Sequence, residues 1–376
     1  MRYRDDPRLD EAKLIPVDQV LHLLGVPGLH RAGAERIGPC PICGGTDRFG
    51  INAQTHVYNC RRCGIKGGDN IQLVRDLRGL DFKNALAFLA GEPVTGLDAE
   101  EIERRKAKAR AASEDQARRA EAERQKVIGL ARDIWAEALP AQGSPIHGYF
   151  EARGIPAARW PQLPHSLRFH PTLRYVVKEG RDWIEVHRGP AMLAAMVASS
   201  GKLTAVHRTW IDLDQPKGKA RIERNGAVLD AKKMLGSKKG SAIRLASADR
   251  GPVMVMAEGI ETTATALASG SYPGAAFWCA GDLGNISGIQ RKIEGQRWSG
   301  LPDMGDQRAF CPPPWVRELI LIQDGDSHPA STRAKLLSGA RRAMARVPDL
   351  RARIVHAGEG RDLNDIVMTE GEDDNA

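Results

Sequence analysis

Two cysteine pairs constrain this chain before any other feature does. Cys40-Pro41-Ile42-Cys43 is followed, after sixteen residues, by Cys60-Arg61-Arg62-Cys63. Two CxxC knuckles at this spacing place four thiolates around one tetrahedral ion, which predicts zinc. Gly44 and Gly64 follow the knuckles, where the turn needs positive φ. Arg48–Asn52 and His56–Asn59 read as strands of a ribbon between them. Four cysteines leave no ligand position open, so the ion is structural and His56 is a strand-face residue. Such a site contributes ~10–16 kcal/mol to folding a small module. The remaining cysteines, Cys279 and Cys311, read as small buried apolar residues. Six cysteines in 376 residues exclude a disulfide scaffold.

The length suggests two or three domains. No apolar run approaches the ~18 residues that span a bilayer; Pro190–Ser199 is too short. The first residues lack an apolar signal core, so a soluble, cytoplasmic protein without a membrane partner is expected. Val17, Val20, Leu21, Leu23 and Leu24 form the apolar face of a helical lead. After the cysteines, Asp69–Leu89 reads as helical, with a turn at Gly79. Leu97 to about Lys126 is rich in Ala, Glu, Lys and Arg, with charges that nearly cancel, and reads as a solvated linking helix. The boundaries expected are 1–95 for the zinc ribbon and its flanking helices, 96–140 for the linker, 141–250 for a basic α+β subdomain, 251–368 for an α/β domain and 369–376 for an acidic disordered tail.

That α/β domain follows from alternation. Val253–Ala257, Ala275–Ala280, Glu318–Gln323 and Arg353–His356 read as strands; Glu258–Ser269, Ser331–Arg346 and Asp362–Met368 read as helices. This order predicts a parallel sheet with crossover helices. Glu258 directly follows the first strand, and Asp324-Gly325-Asp326 directly follows the strand ending at Gln323. The C-terminal ends of parallel strands form the ligand crevice of an open sheet. Glu258, Asp324 and Asp326 therefore converge, and such hard oxygen donors suit Mg²⁺ or Mn²⁺. Glu261, one helical turn from Glu258, either lines the same crevice or is a first-turn acid favoured by the helix dipole.

Charge is uneven. Residues 128–250 carry a net +9 and residues 251–376 a net −4. Lys217–Arg244 alone holds nine basic residues, downstream of His207-Arg208-Thr209. A basic strip beside an acidic region suits a phosphate track next to a metal site.

The residues around the cysteines, Cys40 to Phe49 and Cys60 to Asp69, resemble the N-terminal zinc domain of satellite-phage and plasmid primases. DnaG-type primases carry histidine at the second ligand position; this chain has Cys43 there. In that family the zinc domain helps select the template, and Arg48, Arg61, Arg62 and Lys66 suit phosphate contacts. Glu258 with Asp324-Gly325-Asp326 resembles the Toprim domain, a Rossmann-like parallel sheet. The resemblance implies that the glutamate acts in acid–base chemistry and that the aspartates bind Mg²⁺ or Mn²⁺. A third acidic motif is then expected at Gly360-Arg361-Asp362-Leu363-Asn364-Asp365, with Asp362 the first additional ligand and Asp365 a lesser one. The stretch with Arg208, Lys219-Ala220, Lys232, Lys233 and Leu235-Gly236 is similar to the basic subdomain preceding Toprim in mobile-element primases. There Arg208, Lys219, Lys232 and Lys233 would bind nucleoside triphosphate or template backbone. Ser144–Ile155 also fits the start of that family's catalytic core.

The resemblance implies a primase that makes short RNA primers on single-stranded DNA for a phage, plasmid or integrated element. No GxxxxGK[ST] occurs, so a separate replicative helicase is the implied partner. Aromatic residues are only 5 %, so electrostatics rather than extended base stacking grips the strand. The rival readings are a Toprim metal-dependent nuclease and a non-catalytic DNA-binding adaptor. Five tyrosines do not suggest a topoisomerase.

Overall fold

In a computed structural model, the described residues are 6, 8–26, 28–32, 34–91, 99–179, 182–248, 251–293, 295–323 and 328–356. The chain divides into two units, residues 1–122 with 176–184, and residues 123–175 with 185–376.

The first unit opens with α1 (Arg8–Leu14) and α2 (Val17–Leu23). The antiparallel strands β1 (His30–Ala32), β2 (Glu35–Cys40), β3 (Gly44–Asn52), β4 (Tyr58–Cys60) and β5 (Lys66–Gly67) follow, in that spatial order. Then come α3 (Asn70–Arg78) and α4 (Phe82–Ala90). Each of these two helices starts where sequence chemistry says it should. The Asp69 carboxylate accepts the Gln72 N–H and the Asp81 carboxylate accepts the Asn84 N–H, both at 2.8 Å. Gly79 ends α3 with φ 67°, a conformation that costs glycine nothing. Phe49, Ile51 and Tyr58 of the ribbon are buried with Val17, Val20, Leu21, Ile71 and Val74 of the helices. Asn70 locks α1 to this core by donating to the carbonyls of Ala12 and Ile15 at 2.9 and 2.8 Å. The charged stretch is one helix, α5 (Ala99–Glu137). Between Arg104 and Lys126 its described side chains are nearly all exposed, as the lack of large apolar residues requires.

In the second unit, β6 (Leu139–Pro140) and α6 (Ile146–Glu151) precede two long strands, β7 (Leu167–Glu179) and β8 (Asp182–Val197), whose ends between 176 and 184 are counted with the first unit. β9 (Leu203–Trp210), β10 (Ile222–Arg224), β11 (Ala227–Leu229), β12 (Lys232–Gly236) and β13 (Ala242–Ala246) follow. The alternating part holds β14 (Val253–Ala257), α7 (Ile260–Ala268), β15 (Ala276–Cys279), α8 (Leu283–Ser287), β16 (Glu318–Gln323), α9 (Pro329–Arg346) and β17 (Arg351–His356). Strands β15, β14, β16 and β17 are parallel neighbours, with α7 and α9 as crossovers. The parallel sheet does not stop there. β13 pairs antiparallel with β15 on one side and β8 on the other, and the sheet continues through β9 to β12. Residues on both sides of position 250 thus build one mixed sheet. The apolar run at Pro190–Ser199 is explained by this placement: Ala191–Met196 form a buried interior strand.

Helices cover both faces of the parallel strands. Ile260 and Ala264 of α7 pack with Cys279, and Leu336, Ala340 and Ala343 of α9 pack with Leu319 and Leu321. α8 and α9 touch through Gly339, where an added Cβ would lie 2.6 Å from Ile286 Cγ2 and 2.8 Å from the Ile286 carbonyl oxygen. The segment 362–368, expected to be a helix, lies outside the described residues.

Gly339→Ala is the test of that helix contact. Helix propensity alone would favour alanine by ~1 kcal/mol. The clash with fixed backbone predicts the opposite sign, a loss of about 1–3 kcal/mol, read as a lowered denaturation midpoint.

Candidate zinc centre and active-site crevice

The ribbon delivers its four sulfurs from the end of β2, the turn before β3, the end of β4 and the turn after it. All four Sγ atoms lie within 4.8 Å of one another. Cys40–Cys63 and Cys43–Cys60 are 3.6 and 3.5 Å apart. Zinc–sulfur bonds of about 2.3 Å in a tetrahedron call for sulfur separations of about 3.8 Å, so the cage fits the ion. Gly44 and Gly64 have φ 66° and 78°, as the knuckle turns require. Burial raises the Cys60 thiol, but the backbone N–H groups of Cys63 and Arg62 outweigh it and bring Cys60 down to about 6. Burial and the neighbouring thiols push Cys43 up to about 12. Four thiolates this close need a cation to balance them. His56 is not in the cluster. It occupies the turn between β3 and β4 with φ 58°, rather than a strand face, and burial lowers its pKa. Arg61 and Arg62 are exposed beside the knuckles and Arg48 is half-buried; Arg61 lies 3.7 Å from Asp47 in an exposed ion pair.

The second site is a crevice of about 470 Å³ in the second unit. Its floor is the C-terminal end of β14 and the start of α7, which contribute Glu258, Gly259 and Glu261; Lys232 and Met234 come from β12 and His207 from β9. Glu258 is half-buried, and its carbonyl accepts the Gly281 N–H and the Cys279 S–H, both at 3.0 Å. β14 and β16 pair in parallel with Met256 opposite Leu321. The same register carried on puts Glu258 level with Gln323, whose successor in sequence is Asp324. Asp324, Asp326, Asp362 and Asp365 lie outside the described residues.

Glu261 is the best-anchored group in the crevice. It is 6 % exposed and accepts a 2.5 Å hydrogen bond from the Tyr149 hydroxyl of α6. Lys232 Nζ lies 2.8 Å from its Oε1 and Lys219 Nζ 3.7 Å. Desolvation would raise its pKa, but the two ammonium groups overcome this and hold it well below the usual carboxylate range. Lys232 is penalised by burial yet raised by Glu261. Lys219, held less closely, is pulled down to about 8 by burial and by the charge of Lys232, with Glu261 opposing. Burial and Lys232 also hold His207 neutral, at about 4. Both readings of Glu261 open from sequence hold: it is the acid in the first turn of α7, and it lines the crevice. Lys238 adds a further cation, paired with Asp282 at the start of α8.

Strand alternation separates the other basic candidates. Lys219 and Lys232 reach into the crevice; Lys233 borders it but turns its Nζ 3.9 Å over the Tyr175 ring, on the side of its cross-strand partner Arg208. Arg208 does not line it. As the neighbour of His207 on β9 it projects to the opposite face, where it is 8 % exposed and its guanidinium lies 5.5 Å from the Trp210 ring. Burial lowers it to about 10. Tyr149, unassigned from sequence, belongs to an Ile146–Tyr149–Phe150 apolar face that reads as core, and only the partner of its hydroxyl reveals its second role.

Two measurements test these sites. Native mass spectrometry should find one zinc per chain, and Cys60→Ser, which removes a buried ligand, should lose the metal and the protease resistance of residues 8–91. Glu261→Gln leaves two half-buried ammonium groups without their counter-charge and should cost about 2–3 kcal/mol of stability, less than a fully buried pair because both lysines keep some contact with water. Glu261→Gln with Lys232→Met, which removes charge from both partners, should recover more than half of that loss in denaturant titrations.

Comparison with known proteins adds to this geometry. Residues 18–105 match the CHC2 zinc finger family, and residues 125–245 match a domain of unknown function, DUF7146. No curated protein matches the chain. Among solved structures, the chain is similar to the zinc-binding and RNA polymerase domains of the Aquifex aeolicus primase, at 14 % identity and TM-score 0.35, over 98 % of this chain and 83 % of that one. It is similar to the primase fragment of the bacteriophage T7 primase-helicase, at 11 % identity and TM-score 0.35, over 90 % and 95 %. It is also similar to the RNA polymerase domain of the Mycobacterium tuberculosis primase DnaG, at 15 % identity and TM-score 0.38, over 66 % and 81 %. The chain is a mixed α/β protein whose N-terminal unit matches the CHC2 zinc finger, and these solved structures similar to it are primases.

Proposed function

We propose that this chain is a DNA primase, joining nucleotides into short RNA primers on single-stranded DNA. The observation that carries this reading is the crevice at the end of β14, where Glu258 stands beside Lys219 and Lys232, both anchored on the buried Glu261. The four-cysteine ribbon supports it, since a zinc module carried on the same chain as a nucleotidyl-transfer site suits template selection.

In this reading Lys219, Lys232 and Lys238 attract the triphosphate of the incoming nucleotide, and the fixed geometry around Glu261 holds the first two in place before substrate arrives. Glu258 accepts the proton of the attacking 3′-hydroxyl. Neutral His207 lines the pocket without adding charge. Asp324, Asp326 and Asp362 are the oxygen donors that would hold Mg²⁺ or Mn²⁺, a donor chemistry that suits a hard cation. Such an ion supplies charge neutralisation to the triphosphate and to the pyrophosphate that leaves. Arg61 and Arg62, and with less exposure Arg48, would contact template phosphates. The chain would act for a phage, plasmid or integrated element, with a separate helicase. Among the described residues no helix is long and apolar enough to cross a membrane.

The deciding assay is incorporation of labelled nucleotides on unprimed single-stranded DNA. Wild type should give short products, and Glu258→Gln and Asp324→Ala should each reduce them at least about a hundredfold. Metal-dependent cleavage without synthesis would instead indicate a nuclease; tight, salt-sensitive binding without either would indicate an adaptor. The lysines add a pH test. Lys219 is a cation below about 8 and neutral above it. ATP affinity should therefore fall as pH rises from 7 to 9, by about tenfold for one charge-assisted contact. Lys219→Gln should bind weakly throughout and lose that dependence.

A further inference from the structure

The three partners of Glu261 are unequal in a way that charge pairing alone does not require. The Tyr149 hydroxyl, Lys232 Nζ and Lys219 Nζ all approach the same oxygen, Oε1, at 2.5, 2.8 and 3.7 Å. A carboxylate oxygen offers two lone-pair sites to hydrogen-bond donors. The phenol and Lys232 fill both. Lys219 stands just outside hydrogen-bond range, attracted to the carboxylate but not bonded to it. The other oxygen, Oε2, is turned toward Gly259, 3.8 Å from the place a Cβ would take there.

The backbone maintains this gap. Lys219 follows the turn Pro216–Gly218 and is bridged to Ile211, just after β9. Gly218 packs against α6: an added Cβ would lie 3.1 Å from Tyr149 Cδ2 and 3.4 Å from Ala152 Cβ. One tyrosine therefore meets both ends of the gap. Its ring supports the turn that carries Lys219, and its hydroxyl bonds the carboxylate that attracts Lys219. Burial and the charge of Glu261 raise the Tyr149 pKa well above its usual value, so the hydroxyl keeps its proton and donates.

We propose that Tyr149 is a positioning residue for the triphosphate: by filling the second acceptor site of Glu261 Oε1 it keeps Lys219 one step short of the carboxylate, with its N–H groups available to substrate phosphates. Lys232 is then the fixed anchor, and Lys219 is the lysine that changes partner when substrate binds. Lys219 gives up an attraction in doing so, whereas Lys232 would break a hydrogen bond. This assignment rests on the nucleotide reading of the crevice. A tyrosine that only filled the core would not need its hydroxyl at Oε1.

The test uses the full chain and Tyr149→Phe, which keeps the ring and its contact with Phe150, 5.5 Å between centroids, but removes the hydroxyl. The first readout needs no nucleotide: pulsed acetic anhydride labelling across pH, resolved by mass spectrometry. In wild type Lys219 should label faster than Lys232 near pH 8, because the charges that face it, Glu261 of α7, Lys232 of β12 and Arg153 after α6, leave it less firmly protonated. In Tyr149→Phe, Lys219 closes on the vacated site, its midpoint rises, and its labelling near pH 8 should fall about tenfold. The second readout is ATP affinity near pH 7. Tyr149→Phe should weaken it about tenfold, and should do nothing more once Lys219→Gln is in place. Unchanged Lys219 labelling in Tyr149→Phe, equal ATP losses in both backgrounds, or Lys232 labelling as fast as Lys219 in wild type would each overturn the proposal. The expected labelling without ATP binding by wild type would overturn the nucleotide reading itself, and with it the triphosphate role of Tyr149.

Discussion

A carboxylate with almost no access to water is the constraint on which the second unit turns. Isolated in the interior, Glu261 would take up a proton rather than stay charged. It stays ionised because three separate segments reach it: Tyr149 from α6, Lys219 from the loop after β9, and Lys232 from the first position of β12. Core packing of α6 with α7 and the pairing of β12 with β9 bring these segments near one another, and the charge cluster fixes the polar tips that the core does not cover. The cluster thus does locally what a hydrophobic core does elsewhere, at a point where the chain must keep polar atoms facing a cavity. It also has a direction. The lysines cannot relax toward solvent without stranding the carboxylate, so their charge stays over the crevice whether or not an anion is present.

The first unit solves a related problem differently. Its ribbon strands are short, β4 and β5 having three and two residues, and such strands are marginal alone. A tetrathiolate cage holds one end while Phe49, Ile51 and Tyr58 bury the other against the helices. Tyr58 joins the two devices. It lies two residues before Cys60 and its hydroxyl donates to Asp76 of α3 at 2.5 Å. The metal knuckle and the helical layer are thereby coupled through one strand.

Local chemistry was readable in advance and long-range partnership was not. The cysteine spacing, the Asp69 and Gly79 signals around α3, and the strand–helix alternation from Val253 to His356 each depend on neighbours within a few residues, and each appears where expected. The continuation of the parallel strands into β13, β8, β9 and β12 depends on pairings across tens of residues, which periodicity does not encode. The basic stretch shows the same limit on a finer scale. Lys232 and Lys233 are equivalent as sequence, but the pleat sends one to Glu261 and leaves the other over Tyr175. Arg208 and His207 part in the same way. Glu261 could be read as a helix-dipole acid or as a crevice residue, because both demand an acid in the first turn. The partners that hold it in the crevice, Tyr149, Lys219 and Lys232, come from distant segments.

The two ends of the parallel strands complete this picture by contrast. At the C-terminal ends the polar groups are matched: carboxylate, ammonium and phenol satisfy one another, and the resulting field is aimed at an anion. At the N-terminal ends the Arg244 guanidinium lies over the Trp278 ring and its Nη2 donates to the Ala198 carbonyl. The two ends therefore differ in where charge is presented: Glu261 keeps Lys219 and Lys232 facing the cavity, whereas one face of the Arg244 cation is covered by an indole.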